Sequence, residues 1–135
     1  MRPQSLNIGA AIFQILTTDS DVSELVGQKV YPLVAPEGTP FPFVVYTRSG
    51  ISSARDKDSY FYSQDVMQGV IVCTDDYTEG VNIAMAIAKA MQFGEKTVTV
   101  GEYNIDIMES VFDSGTEDYI NNVFVQGLIF HLKVR

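Results

Sequence analysis

The sequence predicts an α+β fold: a mostly antiparallel, mixed β-sheet with two main helices packed on one face. Three observations carry this reading. Two segments, near the N-terminus and over residues 74–94, repeat their apolar residues at helical spacing. The segments between and after them are strand-like and follow one another without intervening helices. The chain has 135 residues, 46% hydrophobic and 19% charged, enough for one core and one domain over 1–135.

In chain order, Ile8, Ala11, Ile12, Ile15 and Leu16 fall on one helical face, and Pro3 and Ser5 suit a first turn, which predicts a helix over about 4–17. DSDVSELVG follows. Asp21 precedes Glu24 by three residues, as in a capping box, and Gly27 suits a left-handed cap, so a short second helix is expected. Lys29 to Tyr31 reads as a short strand.

Pro36, Pro40 and Pro42 then stand in front of Phe43–Tyr46, a strand expected to end near Arg48. Proline fixes its own φ and biases the preceding residue toward extended geometry, so Thr39 to Phe43 enters the sheet stiffened, which discourages extra pairing at an edge. GISSARDKDSYFYS, polar and of mixed charge, predicts a long flexible loop at about 50–63. Gln64–Thr74 has Val66, Val70 and Val72 on one face and Met67, Ile71 and Cys73 on the other, the pattern of a central strand covered on both sides.

The second long helix is TDDYTEGVNIAMAIAKAMQFG. Asp75, Asp76 and neighbouring threonines offer caps, Glu79 complements the helix dipole, and Gly94 marks the end. Its expected buried stripe is Tyr77, Val81, Ala84, Ala88 and Met91. Three strands complete the chain: Thr97–Val100, Glu102–Phe112 and Asn122–Val134. DSGTEDYINN reads as the turn region between the last two.

No apolar run is long enough for a membrane span, and the N-terminal segment is broken by Asn7, Gly9 and Gln14, unlike a signal peptide. The single cysteine forms no internal disulfide and suits a reducing compartment. The net charge is −8, of which residues 60–135 supply −7, with eleven acids and four bases. Without a basic stripe, sequence-specific nucleic-acid binding is not expected.

No catalytic or cofactor motif is present, so catalytic, cofactor and metal residues are each read as none. Cys73 and His131 both lie in strands, with nothing to bring them together as a nucleophilic pair. Asp75, Asp76 and Glu79 are explained by helix capping, and Asp113, Glu117 and Asp118 lack calcium-loop spacing. Tyr60, Phe61 and Tyr62, beside a polar loop, suit either sheet packing or docking of a partner protein.

Several segments, in order, resemble the tail-terminator or tail-completion family of long-tailed phages. They are ILTTDSDVSELVG, then KVYPLVAPEGTPFPFVVY with its phenylalanine–proline entry strand, a variable loop, VMQGVIVCT, the helix EGVNIAMAIAKAM, and a closing strand pair. The resemblance covers most of the chain, although Phe43 stands where tyrosine is common in the family and the C-terminal half matches in outline.

It implies a structural protein of a phage or prophage virion rather than an enzyme, with no cofactor. It would form a homo-oligomeric ring, usually of six copies, at the tail–head junction. The ring would cap the tail tube, stop its growth and meet a head-side connector protein, after assembly in the host cytoplasm and without a membrane. Expected partner contacts are Phe41, Pro42, Arg55, Lys57, Tyr60, Phe61 and Tyr62. At least one of two acidic clusters, Asp75, Asp76 and Glu79 or Asp113, Glu117 and Asp118, is expected to face a lumen through which DNA only passes. The alternatives are another neck component, or a small enzyme or ligand-binding protein that forms no ring.

Overall fold

A computed structural model of the chain describes residues 3–55 and 62–135. Side chains of Ala54, Arg55 and Tyr62 lie outside that description. The architecture is α+β. A short 3-10 turn, Pro3–Asn7, leads into α1 (Ile8–Thr18) and α2 (Ser20–Val26). β1 (Val30–Pro32), β2 (Phe43–Arg55) and β3 (Tyr62–Thr74) follow, then α3 (Tyr77–Ala90), β4 (Lys96–Val100), β5 (Tyr103–Ile120) and β6 (Val123–Val134). The strands form one sheet in the order β1-β2-β3-β6-β5-β4. Among the described residues only β1 with β2 is parallel, and every other pairing is antiparallel.

Alternation along the strands decides which face the helices cover. Val66, Val70 and Val72 of β3, Phe130, Leu132 and Val134 of β6, and Ile105 and Ile107 of β5 are buried on one face. Against them pack Ile8, Ala11, Ile12, Ile15 and Leu16 of α1, all five of the expected residues, with Ile83, Ile87 and Met91 from the α3 region. β3 lies inside the sheet as its two apolar faces predict, but Met67, Ile71 and Cys73 on the other face are only half-buried.

Several expected boundaries move. The first helix opens with a 3-10 turn because Ser5 is buried and its hydroxyl donates to Gln64 Oε1 at 3.2 Å, which anchors that turn to the sheet. Asp19, not Asp21, caps α2: its Oδ1 accepts from the N–H groups of Asp21 and Val22, each at 3.0 Å. Gly27 does end α2 at positive φ, but with ψ −130° rather than in the left-handed helical region. α3 stops at Ala90, short of Gly94.

The buried stripe of α3 is Gly80, Ile83, Ala84 and Ile87, continued by Met91, while Tyr77 is 46% exposed. Turning the helix this way buries two isoleucines in place of Val81 and Ala88, and so removes more apolar area from water. It also seats Gly80 against the sheet: a Cβ there would lie 2.9 Å from Thr74 Cγ2.

The largest corrections concern loops. β2 continues through Arg55 and β3 begins at Tyr62, with Arg55 opposite Tyr62, so most of the loop expected at about 50–63 is ladder. The connection, residues 56–61, lies outside the described residues. DSGTEDYINN is likewise not a turn region. β5 runs to Ile120, and the turn is only Asn121–Asn122, at φ 52° and 66°, which fits a two-residue hairpin with the strand twist. Val111–Ile120 is solvent-facing on both sides, so no buried face imposes apolar alternation on it.

The cap assignment gives a direct test. Asp19→Ala is expected to cost about 1 kcal/mol, and Asp21→Ala about half of that or less. Asp21 contributes only the helix dipole and an exposed 3.7 Å contact to Lys89. Urea melts of the two variants separate them, and equal losses would return the cap to Asp21.

Candidate assembly surfaces

The proline-bearing segment folds over the helix-free face of the sheet. Leu33 is the centre of a γ-turn at φ 64°, unusual for a branched side chain. Val34 N donates to Pro32 O at 2.6 Å across it, and Leu33 N donates to Tyr46 O at 2.9 Å, fixing it to β2. The turn presents Leu33 and Val34 outward, each 74% exposed. No residue type in the sequence signals this turn.

Downstream, the Phe41–Pro42 peptide is cis. The rings of Phe41 and Phe43 stack with centroids 5.5 Å apart and planes 9° from parallel. Phe41 remains exposed while Pro42 is half-buried. Phe43, stacked on Phe41, lines a recess of about 410 Å³, with Leu33, Val34, Val45, Ile71 and Cys73 among its other walls. Burial pushes the Cys73 thiol above its ordinary pKa, which makes it a poorer nucleophile at neutral pH.

His131 shares that sheet face but not that site. It lies opposite Met67, whereas Cys73 is six residues further along β3, about 20 Å away. The His131 ring instead meets Asp65 Oδ1 at 3.3 Å. The expectation that these two residues do not form a pair agrees with this placement.

Two of the acidic residues near the start of α3 are held by local hydrogen bonds. Asp76 caps α3, accepting from the N–H groups of Thr78 at 3.1 Å and Glu79 at 3.5 Å. Glu79 Oε1 accepts from the Thr74 hydroxyl at 2.7 Å. Tyr77, one residue after the cap, donates its hydroxyl to Glu117 Oε2 at 2.9 Å, and Gln126 Nε2 donates to the same oxygen at 3.0 Å. The start of α3 is thereby tied through Tyr77 to Glu117 of the β5 arm.

Hydrogen bonds from Gln126 and then Tyr77 hold the Glu117 carboxyl below its ordinary pKa. The same carboxylate raises the Tyr77 phenol. Among the described residues, no group of three or more His, Cys, Asp or Glu is arranged to hold a metal ion. The Tyr77–Glu117–Gln126 link has no sequence signature, because its members are 40 and nine residues apart.

The β5–β6 hairpin extends beyond the helices. All of Val111–Ile120 is exposed. Tyr119 packs edge-on against Phe124 at 4.6 Å, and Phe124 against Tyr77 at 5.9 Å, which stiffens the arm from one face. Arg55 and Tyr62 face each other across the β2–β3 arm in backbone register. Lys57, Tyr60 and Phe61 lie outside the described residues.

Comparison with known proteins agrees with a structural part. No characterised protein matches the chain by sequence. Among solved structures, a chain of the "virion of native gene transfer agent (GTA) particle" shares the fold, with TM-score 0.76 and 18% identity over 99% of this chain and 98% of that one. The family model described as "Tail completion protein gp17" matches residues 10–117, from α1 into the β5 arm. This chain therefore belongs to the tail completion protein gp17 family.

Proposed function

We propose that copies of this chain close into a ring, six in the arrangement the family resemblance implies, that sits on the end of the phage tail tube. There it stops tube growth and offers its other side to a head-side connector protein, at the tail–head junction of the virion. The observation that carries the reading is the family match over residues 10–117. Similarity of fold to a chain of a gene transfer agent virion, a phage-like particle, accords with a part built into such a particle and assembled in the host cytoplasm.

The surfaces suit this role. Leu33, Val34 and Phe41 are apolar, exposed and held on a pinned segment, as an assembly contact requires. With Pro42, Arg55, Lys57, Tyr60, Phe61 and Tyr62, they are the partner-contact residues of this proposal. At least one of the two acidic clusters faces the lumen in it, where it keeps passing DNA from adhering.

The test is addition of the purified protein to growing tail tubes. Rings at one tube end and an arrest of elongation are expected. Binding to portal complexes with no effect on tubes would assign the chain to another neck component. A monomer that neither caps tubes nor binds portals would leave a small enzyme or ligand-binding protein.

A further inference from the structure

We propose that neighbouring copies join by β-augmentation: the open edge of β5 in one copy pairs antiparallel with the open edge of β2 in the next. This deepens the ring reading and rests on it.

The sheet ends on two strands too short to cover their neighbours. β1 pairs only with Val44, Val45 and Tyr46 of the 13-residue β2. β4 pairs only with Tyr103–Ile107 of the 18-residue β5, and Phe93 adds one bridge at Ser110. Among the described residues, no strand covers the outer edge of β2 over 47–55 or of β5 over 111–120. Each open edge is about 30 Å long. Native proteins shorten, charge or cover such edges, because unpaired N–H and C=O groups template further strands.

Charge selects the partner. Residues 47–55 contain Arg48 and Arg55 and no acid, while residues 111–120 contain Asp113, Glu117 and Asp118 and no base. Pairing β5 with β5, or β2 with β2, sets like charges against each other; β5 with β2 sets opposites together. The contact is then heterologous, the type that builds rings when its rotation closes.

Direction and register agree. β2, β3, β6 and β5 alternate in direction, so β2 and β5 run oppositely. Continuing the sheet past β5 into a neighbour's β2 is therefore antiparallel, with the helices kept on one side. Each edge carries a bulge, at Ser49 in β2 and Asp113 in β5.

Placing Ser52 opposite Ser114 aligns the middles of the two edges. With the bulged residues skipped, Gly50 then faces Thr116 and Arg48 faces Glu117, each pair on one face of the pleat. Arg48 uses one guanidinium nitrogen on Leu6 O at 2.6 Å. Glu117 receives its two bonds on Oε2, leaving Oε1 for a guanidinium N–H. The open edges lie toward opposite ends of the sheet, so successive copies step along the strands. Strands tilted to the ring axis absorb that step, as in a closed barrel.

The test uses Ser52→Cys and Ser114→Cys, both exposed, each in a Cys73→Ala background, with a short bis-maleimide. Covalent dimers are expected only when the two single variants are mixed. A chain carrying both cysteines should give a ladder that ends at the ring number. Dimers from either variant alone would overturn the proposal in favour of a two-fold contact. Rings seen by sedimentation without cross-links in the mixture would overturn the edge pairing and leave the ring standing. A monomer without cross-links at any concentration overturns the pairing too, and tube capping then reads the ring independently.

Discussion

Phe130→Ala is expected to remove about 3–5 kcal/mol of folding stability. Phe130 is fully buried in β6, inside the sheet, opposite Gln68 on one side and Phe112 on the other. Its ring meets Phe112 edge-on at 5.9 Å. Truncation opens a cavity between the sheet and its helices that strands held by ladders on both sides cannot close. Against a total stability of roughly 5–15 kcal/mol, the loss is a large share. It corresponds to a fall in Tm of roughly 10–20 °C for a chain of this size.

Phe112 is 42% exposed at the root of the arm. Phe112→Ala loses mainly the ring pair, about 0.5–1.5 kcal/mol. The pair is best measured by urea unfolding at one fixed protein concentration, since assembly would otherwise add to apparent stability. A Phe130→Ala loss within about 1 kcal/mol of the Phe112→Ala loss would mean that the core does not run beneath β6.

The helices and buried strand faces were legible because burial writes periodicity into sequence. Every α1 residue expected inside is inside, and Val66, Val70 and Val72 lie on the helix face as their alternation indicates. Where helix α3 was misread, the error was one of rotation: small residues at Gly80, Ala84 and Ala88 fit several close-packed orientations, and only the two isoleucines settle among them.

The long arms were illegible for the opposite reason. Among the described residues, Thr47–Arg55 and Val111–Ile120 have a strand on one side only, and Val111–Ile120 is exposed throughout, so their sequences need neither apolar alternation nor β-branched residues. Asp, Ser, Gly and Thr there read as turn residues. Single-residue caps were equally ambiguous, with Asp19 and Asp21 two positions apart. The family resemblance rested on the order of segments, which survives such local errors. The open edges became visible only once the short strands β1 and β4 were placed.

Reversing charge at Asp75 is expected to slow DNA passage through assembled particles without preventing ring formation, whereas the same change on the β5 arm also weakens the proposed pairing with the arginines of the next copy. In the proposed ring of six compact subunits, equal touching spheres leave a central opening as wide as one subunit. A chain this long has a radius of gyration of about 14 Å and so a diameter of roughly 37 Å. Overlap and intruding side chains narrow the opening, yet a duplex still fits.

DNA in transit must not be held. Lysines facing it would release its counterions and bind it, whereas carboxylates give no such grip. Residues 60–135 bring −7 per copy, hence −42 over six copies. Asp76, Glu79 and Glu117 should be left intact, because their hydrogen bonds hold α3 and the β5 arm. The informative variants are Asp75→Lys on the helix side, and Asp113→Lys with Asp118→Lys on the arm, the latter read only in particles whose rings are first seen to form.

At least one of the two sets should lower the rate of DNA ejection, with the effect weakening as salt rises, because counterion release is what salt opposes. The set that slows ejection is the one that faces the lumen. If particles carrying either set assemble normally and eject DNA at the unaltered rate across a range of salt, the acidic residues lie on the outer surface and serve solubility alone.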